Sequence, residues 1–149
     1  FPDAGVTSDL IVGFHGETEE DFNASADALR RFRFDLVHTA AYSPRSGTVA
    51  ATMDGQLPED EKNRRLNYVN DLQRGIALEI NKNLVGKHFS ILLHGFAPRG
   101  EDTLQGRTDT DKVVLLRGGR AEDLGRFALV EISEADHWCL HGSLVRFLD

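Results

Sequence analysis

The sequence predicts an α/β unit followed by a small antiparallel β barrel. Three observations carry that prediction. Two short apolar runs flank a stretch with helical spacing, giving strand, helix, strand within about 35 residues. A second, longer helical period runs from about residue 59 to 82. After Gly86 the period changes to short strands separated by glycine-rich or charged turns.

Each element has its own local reason. Asp9 to Phe14 is an apolar run without alternation and reads as a strand buried on both faces, as parallel strands are. Thr18 then suits a helix N-cap, and Glu19, Glu20 and Asp21 suit the positive end of the helix dipole. Phe22, Ala26, Leu29 and Phe32 keep helical spacing, so residues 18–32 read as an amphipathic helix. Phe34 to Tyr42 reads as a second buried strand, parallel to the first. Residues 43–58 are irregular. Leu66, Val69, Leu72 or Gln73, Ile76 and Ile80 then mark the long helix, and Gly75 inside it costs about 1 kcal/mol relative to Ala.

Beyond Gly86, Phe89, Ile91 and Leu93 share one strand face, and Lys112 to Leu116 forms another strand. Ala128, Val130 and Ile132 alternate against Leu129 and Glu131. Trp138 to Phe147 holds a last strand or pair, with Gly142 as a bend or bulge. The expected division is an α/β piece at 1–84 and a β barrel at 85–149. Two parallel strands cannot form a sheet buried on both faces, and a (β/α) barrel needs roughly 200 residues. The α/β pattern is therefore that of a slice. The absence of an initiating Met, with Met53 the only methionine, agrees with a piece of a longer protein.

Composition narrows the function classes. The chain has 149 residues, 40% hydrophobic and 28% charged, which is globular. No apolar run approaches the ~20 residues of a membrane span, and no basic-then-apolar leader is visible. With one cysteine, Cys139, the chain cannot build an internal disulfide or a thiolate metal cluster alone. A lone cysteine without an export signal fits the cytoplasm. The net charge is −7. Residues 1–82 hold 14 acids and 9 bases, and residues 83–149 hold 10 acids and 8 bases. Neither half is basic, so a nucleic-acid role needs a local patch.

Four segments carry possible chemistry. Ile11 to Glu17, with Gly13 and Gly16, lies at the C-terminal end of a strand, where parallel α/β folds bind ligands; it also reads as a tight strand-to-helix turn. It is not a phosphate-binding P-loop, since no Lys follows the glycines. Tyr42 to Thr48 ends the second strand on the same side. There Tyr42 can stack on a ring and Arg45 can meet a carboxylate or phosphate. Between barrel strands, Arg107 and Lys112 can grip phosphate, but Asp109 and Asp111 oppose that. His137 and His141 are four apart, which suits metal binding on a helix but not in a strand-like segment, and no metal ligand set is assigned. Cys139 reads as a small buried residue.

Five linked motifs together carry a resemblance. Ser8 to Phe22 (SDLIVGFHGETEEDF) and Tyr42 to Thr48 (YSPRSGT) resemble the methylthiotransferase family of radical S-adenosylmethionine enzymes. Ile76 to Asn81 and Leu84 to Lys87 resemble the join to that family's C-terminal TRAM domain. Gly106 to Val114 (GRTDTDKVV) resembles its tRNA branch, the MiaB type. The resemblance runs across nearly the whole chain, in order.

The resemblance implies that residues 1–84 are the last part of the radical-enzyme barrel and that residues 85–149 are TRAM, an OB-like RNA-binding barrel. It implies a full enzyme that adds a methylthio group to C2 of an N6-isopentenyl-adenosine beside the tRNA anticodon. S-adenosylmethionine and two [4Fe–4S] clusters would serve it, with all cluster cysteines outside this chain. Ile11, Gly13, Glu17, Tyr42 and Arg45 would lie near S-adenosylmethionine. Lys87, Arg107 and Lys112 would meet tRNA, the partner being an anticodon stem-loop and the enzyme a monomer. His15 and Ser46 stand where the family usually has Pro, which leaves both loops less fixed. Two other readings remain: an RNA-binding barrel on an α/β scaffold without catalysis, and a nucleotide-binding α/β protein using the Gly13–Gly16 loop.

Overall fold

A computed structural model describes residues 4–98 and 102–148. The element order is β1 (Thr7–Val12), α1 (Glu19–Phe32), β2 (Leu36–Ala41), α2 (Glu59–Lys82), then β3 (His88–Phe96), β4 (Thr103–Arg107), β5 (Val113–Arg117), β6 (Phe127–Ala135) and β7 (Leu140–Leu148), with two short 3-10 turns. The chain divides into two compact units: Val6–Ala77, and Leu78–Asp149 together with the residues before Val6, the break between them falling inside α2. The α/β part and the all-β barrel predicted from the sequence are both present.

In the first unit, β1 and β2 pair in parallel, from Thr7 opposite Leu36 to Val12 opposite Ala41. Thr18 caps α1 by accepting from the Asp21 amide, while the Asp21 carboxylate accepts from the Thr18 amide. Phe22, Ala26 and Leu29 of α1 are buried with Val12, Val37, Val69 and Ile76. The two helices meet where the Phe22 and Tyr68 rings pack edge to face at 5.6 Å. Gln73, not Leu72, takes the buried position, and its amide donates to the Phe34 carbonyl at 2.8 Å.

The expectation that β1 and β2 are buried on both faces does not hold here. Val12 and Val37 face the core, but Thr7, Asp9, Ile11, His38 and Ala40 on the other face are exposed, Ile11 by 58%. The reason is geometric. Two strands have one helical layer and nothing within this unit to cover the second face.

The second unit is a closed five-stranded barrel in the order β3-β4-β5-β7-β6. Every neighbouring pair is antiparallel except β5 and β7, which run parallel. An odd number of strands cannot alternate direction all the way around a ring, so one parallel pair is required for closure. This is an OB-like arrangement. Ile91, Leu93, Leu104, Val114, Leu116, Ala128, Val130, Ile132 and Leu140 fill the interior. β4 has no alternating apolar pattern in the sequence, which places residues 106–112 between strands. Gly142 does lie at an irregularity: the register slips between Ile132 and Glu134 of β6 opposite it.

Candidate functional site

The first candidate site lies at the C-terminal ends of β1 and β2. The parallel register puts both ends side by side, and the Tyr42 amide donates to the Val12 carbonyl at 2.8 Å. The chain leaves β1 through Gly13, whose φ is +73°. A Cβ at Gly13 would also lie 2.6 Å from Lys62 Cγ, so both conformation and space exclude a side chain there.

Glu17 holds this turn from within. One carboxylate oxygen accepts from the Gly13 amide at 3.0 Å, and the other meets the Arg65 guanidinium at 2.5 Å. Arg65 is buried and also bonds Glu61 at 2.6 Å and the Glu17 and Thr18 carbonyls. Glu17 is thus committed to the loop rather than turned outward. Hydrogen bonds from Arg64 and Arg65 hold the Glu61 carboxyl down at about 2.

The remaining predicted residues stand differently. Ile11 is exposed at the end of the open sheet face. The Tyr42 hydroxyl is buried and has no hydrogen-bond partner, its ring lying edge-on to Phe14 at 4.9 Å. Arg45 is exposed on the loop after β2. Sequence reasoning missed two residues here, Lys62 and Arg65. Both are buried charges on the stripe continued by Val69, Gln73 and Ile76. Lys62 pairs with Glu59 at 2.7 Å, and its ammonium lies 5.9 Å from the centre of the Tyr42 ring. The helical spacing is a signal for both, but the buried partner of Arg65, Glu17, lies 48 residues away in sequence.

The second candidate site is one end of the barrel. Lys87 precedes β3 and is exposed. Arg107 and Lys112 bracket the β4–β5 turn. Arg107 pairs with Asp111 across that turn, at 2.9 Å to both the carboxylate and the carbonyl. The Lys112 ammonium donates to the Asn81 side chain at 3.0 Å. Asn81 in turn donates to the Asp136 carbonyl at 2.8 Å, tying the β6–β7 turn to the same end. Arg107 therefore meets an anion only by sharing or leaving Asp111.

Cys139 lies in that β6–β7 turn. Burial, then the hydrogen bond to the Asp136 carboxylate, pushes its thiol up to about 12. Among the described residues, no helix is long and apolar enough to cross a membrane.

Comparison with known proteins covers both units. Residues 82–145 match the TRAM domain. Along 97% of its length, the chain is 45% identical to the tRNA-2-methylthio-N(6)-dimethylallyladenosine synthase of Carboxydothermus hydrogenoformans. It is 43% identical to that of Moorella thermoacetica over 97% of the chain, and 39% identical to that of Fusobacterium nucleatum over 97%. The chain spans about a third of these relatives, 32%, 32% and 33% of their lengths, and the match is to their C-terminal part. Among solved structures, apo RNase R of Mycoplasma genitalium shares 17% identity, with a TM-score of 0.36, over 60% of this chain and 20% of its own.

Proposed function

We infer, from a TRAM domain at residues 82–145 and a likeness unbroken through both units, that this chain is the C-terminal part of a tRNA methylthiotransferase. In this reading, residues 1–84 close the radical enzyme's (β/α) barrel and residues 85–149 hold tRNA. The reaction of the whole protein is addition of a methylthio group to C2 of N6-isopentenyl-adenosine beside the anticodon. Its setting is the cytoplasm, and it acts as a monomer on the anticodon stem-loop.

The open sheet face supports the barrel-slice reading. In a (β/α) barrel, helices cover the outer face of the strands and the inner face looks into the barrel. Here α1 and α2 cover one face, while Ile11, Asp9, His38 and Ala40 lie on the other. Ligands of such barrels sit at the C-terminal strand ends, where Tyr42 keeps a buried hydroxyl unpartnered. These residues fit S-adenosylmethionine. Ile11 would pack on its apolar part, Tyr42 would offer the hydroxyl, and Arg45 would meet its carboxylate. Gly13 and Glu17 would shape the loop without touching it. Bound there, S-adenosylmethionine supplies the radical that begins the chemistry. The two [4Fe–4S] clusters draw no ligands from this chain, whose one cysteine faces Asp136. In this reading their cysteines lie in the preceding part of the protein.

Lys87, Arg107 and Lys112 form the proposed phosphate contacts. The observation that carries the proposal is the 45% identity maintained over 97% of the chain, through both units in order. Grafting tests it. The C-terminal third of the Carboxydothermus relative is replaced by this chain, and the hybrid is loaded with iron and sulfide. Formation of 2-methylthio nucleoside in tRNA supports the proposal. A folded, cluster-loaded hybrid that binds tRNA yet makes none contradicts it.

A further inference from the structure

We propose that Asp136, Cys139 and His141 form a binding site for one divalent cation of the zinc class. Among the described residues they are the one group of three possible ligands whose donor atoms lie within 4.8 Å of one another. Cys139 Sγ is 3.3 Å from Asp136 Oδ2 and 3.9 Å from His141 Nε2, and His141 Nε2 is 3.6 Å from Asp136 Oδ2. A tetrahedral zinc ion, with bonds of about 2.0–2.3 Å to nitrogen, oxygen and sulfur, sets its ligand atoms about 3.3–3.6 Å apart. The three observed separations match that within about 0.3 Å before any cation is bound.

The arrangement is a chelate and not a catalytic relay. In a relay, the acid and the nucleophile face opposite nitrogens of the imidazole. Here thiol and carboxylate both face the same nitrogen, Nε2. The donors converge on one point. Thiolate, imidazole and carboxylate together are the ligand types of zinc. Three protein ligands leave a fourth position for water.

The ligands are also held in place by atoms not needed for binding. Asp136 Oδ1 accepts from the Trp138 and Cys139 amides at 2.6 and 2.8 Å, leaving Oδ2 toward the thiol. The Asp136 amide donates to the Cys139 carbonyl at 3.0 Å, closing the turn. His141 is fixed in β7 by pairing with Leu115 and Glu134, and its carbonyl accepts from the Ser133 hydroxyl at 3.1 Å. Such outer partners orient metal ligands. The spacing that matters is Asp-x-x-Cys-x-His, brought together by a turn between strands. His137, which pairs with His141 only on a helix, is not part of it. A cation here would fix the β6–β7 turn, which Asn81 links to Lys112.

The test is a Co2+ titration of the untagged 149-residue chain under reducing conditions, followed by absorbance. Cys139 is the only cysteine, so a thiolate-to-cobalt band reports this site alone. The band is expected to rise with the visible transitions of tetrahedral cobalt, to saturate at one equivalent, and to vanish on adding Zn2+. Cys139→Ser removes it. Asp136→Asn and His141→Gln each weaken Co2+ binding by roughly 10- to 100-fold or more. His137→Gln leaves it unchanged. The natural chain developing no thiolate band overturns the proposal, and so does undiminished affinity in both Asp136→Asn and His141→Gln. Should a variant lose the turn, the natural chain decides alone: Zn2+ must raise its melting temperature, and an unchanged temperature rejects the site.

Discussion

At the residue scale, the α/β unit rests on a few positions whose chemistry leaves little choice. Gly13 combines a left-handed backbone with a van der Waals wall at Lys62. Gly13→Ala should destabilise by about 2 kcal/mol or more, measured by urea unfolding. Arg65 is buried against the Glu17 carboxylate, whose side chain is only 13% exposed. Arg65→Ala leaves that charge without its partner and should cost on the order of 3–5 kcal/mol in the same assay. Glu61 adds a pH dependence of definite sign. Its carboxyl is lowered by Arg64 and Arg65 from 4.5 to about 2. The stability it contributes is present above its unfolded value and is lost as pH falls from about 4.5 toward 2. Carboxyl titration by NMR should place its midpoint near 2, and a midpoint near 4.5 would dismiss the network. Beyond the glycine turn and the helical spacing, little of this is legible in sequence. Lys62 and Arg65 look like surface charges until the Glu17 turn folds over them.

At the element scale, legibility followed periodicity. The 59–82 helix was readable because its apolar stripe spans many turns, and β3 and β6 were readable because they alternate cleanly. β4 was not. Its sequence, TLQGR, offers one large apolar residue, and its place is fixed by pairing with β3 and β5 instead. Gly106 shows the tertiary demand, since a Cβ there would lie 2.7 Å from the Leu92 carbonyl oxygen. The same β4–β5 turn carries the proposed phosphate contacts. In the full enzyme, Arg107→Ala with Lys112→Ala should weaken tRNA binding and reduce the slope of log affinity against log salt by about 1–2. An unchanged slope would leave Arg107 as the structural partner of Asp111 alone.

At the scale of the whole molecule, the motifs in order carried what the composition did not. A net charge of −7 argues against RNA, yet residues 82–145 match a TRAM domain. Global charge is a weak guide if, as proposed, phosphate contacts reduce to a few cations at one barrel end. At the strand ends the sequence shows a glycine turn but not how it is held: Glu17 accepts from the Gly13 amide and meets Arg65, while Ile11 and Arg45 are exposed beside it. The proposed function assigns S-adenosylmethionine to the α/β unit and tRNA to the barrel, and each assignment can be tested separately. The most direct measurement is nucleoside mass spectrometry on tRNA treated with the grafted enzyme, run beside tRNA binding. The account predicts that Tyr42→Phe with Arg45→Ala abolishes 2-methylthio formation and leaves tRNA affinity intact. It also predicts that replacing Lys87, Arg107 and Lys112 by Ala weakens tRNA affinity and leaves S-adenosylmethionine cleavage intact. Full methylthiolation by the Tyr42 and Arg45 variant, or undiminished tRNA binding by the triple variant, would contradict it.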